Sequence, residues 1–444
     1  MLKTGILGWA LLALACTAPV QNAASASDDA PRPNILILVA DDLSWADLEL
    51  VPTPNIDRLA AAGVSFESMY ANPVCSPTRI TCLLGSYSYR ENIGTVIRTR
   101  GSPGLTEAQN PAMGFDRLTL AELLKAHGYA TLAAGKGHLA NDIAGPQGEA
   151  MRIHGFDHVL AGTLFTLPMG YSNWFSVDDG RPTRSREYNT TEIANAINGW
   201  WTETDGPKFC WGAFNAPHSP FHAPPASTLP PGFEVGNSDR AMYEAMIMAM
   251  DHEIGNILET VDLADTIVVF MADNGTPGAV APPGVNPAQT KGTVFDAGVR
   301  VPFILAGPGF AEGETRHALA NTTDMYATFA ERLGVAIPDG EAVDSVSMLP
   351  YLLDADAPPQ RDWVYSEYWV PNGTGPKTLV RLMARNRTHK LIDADPDGVG
   401  PRKRTQALFR MEAETLIQPA DYTDADKAAL AELQAVIAGK GPPR

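Results

Sequence analysis

Two pairs of adjacent oxygen-bearing side chains follow strongly apolar segments of the sequence. Asp41 and Asp42 come directly after the run NILILVA, and Asp273 and Asn274 come directly after TIVVFMA. Adjacent carboxylates repel each other unless a cation lies between them. Carboxylate and amide oxygens favour Ca²⁺ or Mg²⁺ over zinc. Two independent Asx turns or helix caps would give the same spacing, so neither pair alone identifies a metal site.

A cysteine directly precedes a predicted helix in the segment NPVCSPTR. Pro77 is typical of the first turn of a helix and Gly85 of its end, so we predict a helix from residue 77 to about residue 84. Cys75 then lies at the positive end of the helix dipole, where anions bind and thiolates are stabilised. Arg79 follows about one helical turn later, within reach of the same anion.

Four basic side chains follow predicted strands or lie in a glycine-rich loop: Lys136, His138, His218 and Lys291. A single His after a strand is usually a hydrogen-bonded structural residue. The joint occurrence of these residues with the two acidic pairs and the cysteine indicates a site that holds both a cation and an anion.

Apolar runs and amphipathic segments alternate along most of the chain, which predicts a mainly parallel sheet covered by helices. Such sheets bind ligands beyond the carboxyl ends of their strands, where the polar residues named above occur. Strands are predicted at residues 34–40, 129–134, 208–215, 266–271 and 301–306, and helices at 55–62, 118–126, 191–202, 239–261 and 324–333.

After about residue 350 the pattern changes to short strands at 364–368, 379–384 and 390–392 and a helix at 424–437. We therefore predict an α/β fold with a large mixed, mostly parallel sheet sandwiched by helices. A catalytic domain would span residues 34–350, and a small α+β subdomain would span residues 351–444.

The composition excludes two broad classes of protein. The 444 residues include 33 Lys and Arg against 51 Asp and Glu, a formal net charge of −18. This balance argues against a nucleic-acid-binding protein, although a local cluster of Lys and Arg can still bind a small anion. The 45% hydrophobic fraction excludes a disordered chain.

The N-terminus has the pattern of an export signal. Lys3 is followed by an apolar run at residues 5–15 that is too short to span a bilayer. Cleavage after Ala26 would leave a linker at residues 27–33. Alternatively, a lipoprotein signal would end at Ala15 and leave a lipid-anchored Cys16. Both patterns predict a periplasmic or secreted protein, with no transmembrane span elsewhere.

The remaining cysteines differ in their surroundings. Cys82 and Cys210 lie in apolar runs and are predicted to be buried thiols. Cys75 lies among turn residues, where a core thiol is not expected.

Seven segments resemble those of the formylglycine-dependent (type I) sulfatases of the alkaline-phosphatase superfamily. They occur in that family's order between residues 32 and 309, and the C-terminal part fits only loosely. The segments are PNILILVADD, NPVCSPTR, GKGHLA, NAPHSPFHAP, MDHEIGNILE, VVFMADNG and KGTVFDAGVRVPFILAGPG.

The resemblance implies an alkaline-phosphatase-like fold and a set of site residues. A formylglycine-generating enzyme would convert Cys75 to Cα-formylglycine (3-oxoalanine). Ca²⁺, rather than Mg²⁺, would be bound by the modified Cys75 together with Asp41, Asp42, Asp273 and Asn274. The sulfate and the aldehyde hydrate would be surrounded by Arg79, Lys136, His138, His218 and Lys291, of which Lys136, His218 and Lys291 would also bind the substrate.

In the implied reaction, one hydroxyl of the hydrated aldehyde attacks sulfur, and Lys291 or His218 protonates the leaving alcohol. His138 then takes the proton of the second hydroxyl, which expels sulfate. Lys136, Arg79 and the metal stabilise the sulfuryl oxygens.

The sequence departs from the family's pattern at three positions. Leu84 and Ser86 replace the Thr and Arg of the usual Leu-Thr-Gly-Arg, a segment that helps the maturation enzyme recognise its target. Gly137 replaces the usual Trp between Lys136 and His138, and we expect this change to leave space or flexibility near the site.

The predicted partner is a sulfated small molecule or glycan. Arg98, Arg100 and His222 lie on loops near the motifs, where they are either plain surface residues or contacts to a sugar or a second sulfate. Two alternatives remain at this stage: a phosphonate or phosphate ester hydrolase of the same superfamily, and a non-catalytic protein that binds sulfated glycans with Cys75 unconverted.

Overall fold

The computed structural model describes residues 32–140, 151–394 and 404–441, except residues 115, 153 and 164. From Arg32 onward the chain forms one compact unit. The predicted signal, the lipoprotein cysteine Cys16 and most of the linker lie outside the described residues. None of the helices in the described ranges combines the length and the apolar character needed to cross a bilayer.

A ten-stranded sheet organises most of the chain, in the order β10-β2-β9-β8-β1-β7-β3-β4-β5-β6. The five neighbours from β8 to β4 are parallel, as are β10 and β2, whereas β9, β5 and β6 run antiparallel to their neighbours. This confirms the predicted mixed, mostly parallel sheet. The strands are β1 Asn34–Ala40, β2 Gly63–Tyr70, β3 Ala130–Lys136, β4 His158–Thr163, β5 Trp174–Asp178, β6 Arg181–Ser185, β7 Lys208–Ala213, β8 Thr266–Ala272, β9 Phe303–Ala306 and β10 Glu314–Asn321.

Helices cover this sheet and bury its central strands. Every residue of β1 and β8 is buried, as their unbroken apolar runs predict. Helix α5 packs on β3, β4 and β7, and α2 packs on β2 and β9. The helices are α1 Trp45–Leu50, α2 Pro54–Ala61, α3 Cys75–Leu84, α4 Leu120–Ala126, α5 Asn189–Glu203, α6 Asp239–Leu258, α7 Asp296–Val299, α8 Asp324–Arg332, α9 Leu349–Leu353 and α10 Asp424–Ala438.

A second, antiparallel sheet lies near the C-terminus, as the short strands of that region predict. It has five strands in sequence order, β11 Val364–Val370, β12 Leu379–Arg385, β13 His389–Ala394, β14 Thr405–Arg410 and β15 Thr415–Leu416. Helix α10 packs on β12 and β13. The amide of Asn321 donates a hydrogen bond to the carbonyl of Tyr365 at 2.8 Å, which joins this sheet to the end of β10. The boundary at residues 350 and 351 stays a prediction.

Candidate active site

The ends of four adjacent parallel strands bring the predicted polar residues to one edge of the large sheet. The strands β8, β1, β7 and β3 lie side by side and point the same way. Asp273 and Asn274 therefore follow β8, Asp41 and Asp42 follow β1, His218 follows β7, and Lys136 and His138 lie at the end of β3.

Cys75 begins helix α3 at this edge, two residues earlier than the predicted start. Pro77 is accommodated because the first turn of a helix needs no internal N–H donor. The side chain of Cys75 is 1% exposed, but its neighbours are the charged groups of Asp41 and Lys136, so it is not an ordinary apolar core thiol. Its Sγ lies 3.3 Å from Asp41 Oδ1, 3.5 Å from Lys136 Nζ and 3.9 Å from Lys291 Nζ.

Burial and nearby carboxylates oppose the stabilisation of a Cys75 thiolate that the start of a helix favours. Burial raises the pKa of the Cys75 thiol far above its usual range, and the carboxylates of Asp273 and Asp41 raise it further. The ammonium groups of Lys136 and Lys291 lower it by less. Unmodified Cys75 is therefore a protonated thiol at neutral pH and a poor nucleophile.

A cluster of acidic groups surrounds the cysteine. Ligand atoms of Asp41, Asp42, Cys75 and Asp273 all lie within 4.8 Å of one another, and all four residues are buried. The Asn274 amide donates to Asp42 Oδ1 at 2.8 Å, while its own Oδ1 is buried and has no hydrogen-bond partner in the described structure. Such a set of oxygen atoms, with one buried oxygen unpaired, fits a hard divalent cation.

Cationic side chains form ion pairs with the carboxylates of this cluster. Arg79 donates from Nε and Nη2 to Asp273 Oδ2, at 2.9 and 2.7 Å, and from Nη1 to the carbonyl of Lys136 at 2.6 Å. Lys136 forms a fully buried ion pair with Asp41, and Lys291 pairs with Asp42. His218 Nε2 lies 3.6 Å from Asp42 Oδ2.

These charges set the protonation of the carboxylates. Burial by itself raises the pKa of Asp41, but Lys136, followed by other cations nearby, lowers it well below its usual range. Burial and the charge of Asp41 raise the pKa of Asp273. Asp41 therefore keeps its negative charge more strongly than Asp273 does.

His138 is fixed in one tautomer. Its Nε2 lies 3.0 Å from the carbonyl oxygen of Ile97, which only accepts, so Nε2 carries the hydrogen. Its Nδ1 is buried and has no partner within the described residues. Burial, together with Lys136 and Arg79, lowers the pKa of His138 well below its usual value, so the ring is neutral. Nδ1 thus offers a free lone pair.

A cavity of about 530 Å³ opens onto these groups. Cys75, His138, His218 and Lys291 line one part of it. The rest of the wall is mainly apolar and includes Phe165, Leu167, Pro168, Met169, Trp174 and Phe175. Of the three loop residues named as further substrate contacts, Arg98 lines this cavity, whereas Arg100 and His222 are absent from its described wall. The His222 ring packs on Tyr171 at 4.5 Å between centroids and hydrogen-bonds to Tyr188, which indicates a structural role.

The departures from the family's pattern have structural consequences. A Cβ at position 137 would lie 3.4 Å from Cγ and Sδ of Met151, an ordinary van der Waals contact, so Met151 borders the space beside Gly137. Leu84 is fully buried, and Ser86 accepts a hydrogen bond from Arg117 at 3.3 Å.

Sequence reasoning missed a buried network behind the acidic cluster. The hydroxyl of Tyr243 donates to the carbonyl of Asp42 at 2.8 Å and lies 3.2 Å from Thr276 Oγ1. Asp47 accepts hydrogen bonds from Ser44 and Thr276 and pairs with Arg240. The signal in the sequence was Asp47 on a short helix soon after the Asp41–Asp42 pair.

The chain is similar to known proteins over most of its length. The sulfatase family model matches residues 33–335. N-acetylgalactosamine-6-sulfatase of Canis lupus familiaris is 31% identical over 386 residues, covering 78% of this chain and 70% of the relative. Arylsulfatase A of Bos taurus is 28% identical over 382 residues, covering 76% and 71%.

A solved structure shares the fold over almost the whole chain. The crystal structure of Ps i-CgsB in complex with k-i-k-neocarrahexaose superposes with a TM-score of 0.77 at 24% identity, covering 92% of both chains. The family match and the relative at 31% identity together show that this chain belongs to the sulfatase family of the alkaline-phosphatase superfamily, whose members are sulfuric ester hydrolases.

Proposed function

We propose that this protein hydrolyses sulfate monoesters of a sulfated carbohydrate at the site around Cys75. The observation that carries the proposal is the position of Cys75 Sγ in the wall of a cavity, 3.3–3.9 Å from Asp41, Lys136 and Lys291. The choice of a carbohydrate rests on relatives, because one is named an N-acetylgalactosamine-6-sulfatase and one structure contains neocarrahexaose.

Two groups that the family implies fit these residues. Formylglycine at position 75 would supply a hydrated aldehyde and thus a hydroxyl nucleophile in place of the inert thiol. Ca²⁺ held by Asp41, Asp42, Asp273, Asn274 and the modified residue would supply Lewis-acid charge beside it. The protonated state of unmodified Cys75 supports the first assignment, and the unpaired Oδ1 of Asn274 supports the second.

The chain's own cations would stabilise negative charge on the sulfuryl oxygens. Lys136 is fully buried, so its ammonium group acts in a medium of low dielectric constant. Arg79 is fixed by its hydrogen bonds to Asp273 and to the carbonyl of Lys136, so it needs no rearrangement when charge develops.

Two further residues would move protons. Nδ1 of His138 accepts a proton inside the cavity, because Nε2 is already committed to the carbonyl of Ile97. Lys291 or His218 donates a proton to the leaving alcohol, since both line the cavity from the side of Asp42.

We also propose that the protein acts outside the cytoplasm, in the periplasm or as a secreted or lipid-anchored protein. The support is the sequence of residues 1–26, with its basic start, short apolar run and small residues before the cleavage site.

The test is sulfate release by the full chain produced together with a formylglycine-generating enzyme. A sulfate ester and a phosphate ester of one phenol are compared, with added Ca²⁺ and with a chelator, and sulfated sugars follow. We expect faster sulfate hydrolysis, loss of activity with the chelator, and no turnover by Cys75→Ala. Cys210→Ala, which removes a buried thiol in β7, is the matched control and retains turnover.

Either of two results would replace the proposal. Faster hydrolysis of the phosphate ester would identify a phosphoryl hydrolase. No turnover of any sulfate ester by fully matured, calcium-loaded protein would favour a non-catalytic sulfated-glycan-binding protein.

A further inference from the structure

Arg98 is a cation of the active-site cavity that the proposed reaction does not use. Its side chain is exposed and lines the cavity together with Cys75, His138 and Lys291. Within the described part of the chain, its guanidinium group has no hydrogen bond and no ion pair. No Asp or Glu is among the described residues that line this cavity. An arginine without a partner in such a cavity is free to bind an anion.

The residue before Arg98 forms backbone hydrogen bonds to Ser76, which follows Cys75, and to His138. The N–H of Ile97 donates to Oγ of Ser76, the residue after Cys75, at 3.0 Å. The carbonyl of Ile97 accepts from Nε2 of His138, also at 3.0 Å. Both peptide groups of Ile97 therefore hold Arg98 at a fixed position relative to Cys75 and His138.

Two buried asparagines fix the same segment from the other side. The Asn110 side chain accepts from the N–H of Arg98 at 2.8 Å and donates to its carbonyl at 2.6 Å. Asn372 accepts from the N–H groups of Gly94 and Thr95, both at 2.9 Å. The backbone of Arg98 is thus rigid while its side chain is unengaged, an arrangement that lowers the entropic cost of binding a ligand.

A second cavity lies on the far side of this segment. Its volume is about 570 Å³, and it shares Val96 and Arg98 with the active-site cavity. Its other walls come from the loop at residues 103–110 and from the C-terminal sheet, where Tyr368 and Thr378 contribute. Arg98 therefore stands where the two cavities meet.

We propose that Arg98 binds a second negative group of the substrate, carried by the sugar next to the one that bears the scissile sulfate, and that the second cavity holds this neighbouring sugar. The sugar with the scissile sulfate lies against the apolar wall of the first cavity, which includes Trp174 and Phe175. This inference rests on the proposed function, and it makes the substrate an oligosaccharide of at least two residues. The second negative group is a carboxylate or a sulfate.

Steady-state kinetics of an Arg98→Met variant tests the inference. The substrates are an aryl sulfate, a neutral disaccharide with one sulfate, the corresponding uronate disaccharide, and a disulfated disaccharide. A charge-assisted hydrogen bond contributes about 1.5–3 kcal/mol, so kcat/KM for the preferred anionic disaccharide, relative to the aryl sulfate, should fall about 10- to 150-fold. Comparison of the uronate disaccharide with the disulfated disaccharide shows whether Arg98 binds a carboxylate or a sulfate. Arg100→Met, an exposed arginine 4.0 Å from Glu107, is the matched control.

Binding calorimetry keeps the inference separate from the proposed function. In the Cys75→Ala background, which cannot turn over, Arg98→Met should weaken binding of the same anionic disaccharide at least about tenfold and leave the neutral one within about twofold. That result would support the inference even if no sulfate ester were hydrolysed. An unchanged kcat/KM ratio with unchanged affinities, or no binding of any disaccharide, would overturn it. Equal use of sulfated monosaccharides and disaccharides by the unaltered enzyme would overturn the assignment of the second cavity.

Discussion

At the scale of single residues, Lys136 is the cation on which the proposed chemistry depends most. Its ammonium group is fully buried, pairs with Asp41 and lies 3.5 Å from Cys75 Sγ. It compensates a buried carboxylate, and in the proposed reaction it would also stabilise charge that develops on the substrate. A substitution should affect stability and catalysis separately.

We predict that Lys136→Met lowers kcat for sulfate release about 10²- to 10³-fold, the usual cost of removing one preorganised stabilising group. In the presence of a chelator it should also lower the free energy of unfolding by about 3–5 kcal/mol, because Asp41 loses its buried partner. Chemical denaturation and initial rates measure the two effects. Lys125→Met removes an exposed lysine that pairs with Asp157 and should change neither. An unchanged kcat for Lys136→Met would show that Lys136 does not take part in the proposed reaction.

The residues of the site were predictable, whereas their electrostatics were not. Asp41, Asp42, Asp273 and Asn274 could be placed together because each pair follows a buried parallel strand. The direction of the pKa shift of Cys75 depends on burial and on how near the carboxylates lie, and the sequence contains neither quantity.

At the scale of elements, the start of helix α2 is capped by a side chain from helix α6. The helix begins at Pro54, and its N-cap residue Thr53 makes no side-chain capping bond. Instead, Asp251 of α6 accepts hydrogen bonds from the N–H groups of Asn55 and Ile56, at 3.1 and 2.8 Å. The carboxylate thus satisfies two of the unpaired N–H groups at the start of the helix.

Asp251→Ala should lower the free energy of unfolding by about 2–4 kcal/mol, because two amide groups lose their acceptor. Asp251→Asn keeps one acceptor oxygen and should lose clearly less. Urea denaturation of both variants gives the comparison, and kcat per folded molecule should not change. Equal losses for the two variants would show that charge, and not the hydrogen bonds, stabilises this helix start.

Strands with a clear apolar pattern were predicted from the sequence, and strands without one were missed. Strands β1 and β8 were predicted to within one residue because every position is buried and every position after the first is apolar. Strand β6 was missed because its sequence RPTRS lies at the edge of the sheet and is largely exposed, so no burial pattern marks it. Strand β2 was missed because polar residues interrupt its sequence, GVSFESMY, and its burial comes from β9 and β10.

At the scale of the whole molecule, buried Glu367 connects the C-terminal sheet to the segment that follows α3. It accepts hydrogen bonds from the N–H of Tyr89 at 2.7 Å, from Ser88 Oγ at 3.1 Å and from the hydroxyl of Tyr365 at 3.1 Å. Burial outweighs these hydrogen bonds and raises the pKa of Glu367 from 4.5 to about 7.

This raised pKa makes the stability of the protein depend on pH. The folded state binds the proton more tightly than the unfolded state, so the stabilisation is complete below pH 4.5 and is lost as the pH rises to about 7. Across this interval, the free energy of unfolding should fall by about 3 kcal/mol relative to Glu367→Gln, which cannot titrate. Denaturation curves of both proteins at several pH values measure the difference. A difference that does not vary with pH would refute the assignment.

The whole-molecule charge of −18 gives no indication of the site, which gathers Arg79, Lys136 and Lys291 around buried carboxylates. The sequence indicated this local cluster of positive charge only through residues that lie far apart along the chain. The second cavity beside Arg98 could not be predicted, because it forms between a loop and a separate sheet whose mutual placement is set by packing.

We propose that position 75 becomes the nucleophile of a sulfate ester hydrolase. Mass spectrometry of the tryptic peptide that ends at Arg79, from protein produced with a formylglycine-generating enzyme, tests this assignment. We expect a peptide whose mass corresponds to an aldehyde or its hydrate in place of the Cys75 thiol. A peptide that retains the unmodified thiol under these conditions would refute the assignment, because buried, protonated Cys75 has no activated form of its own.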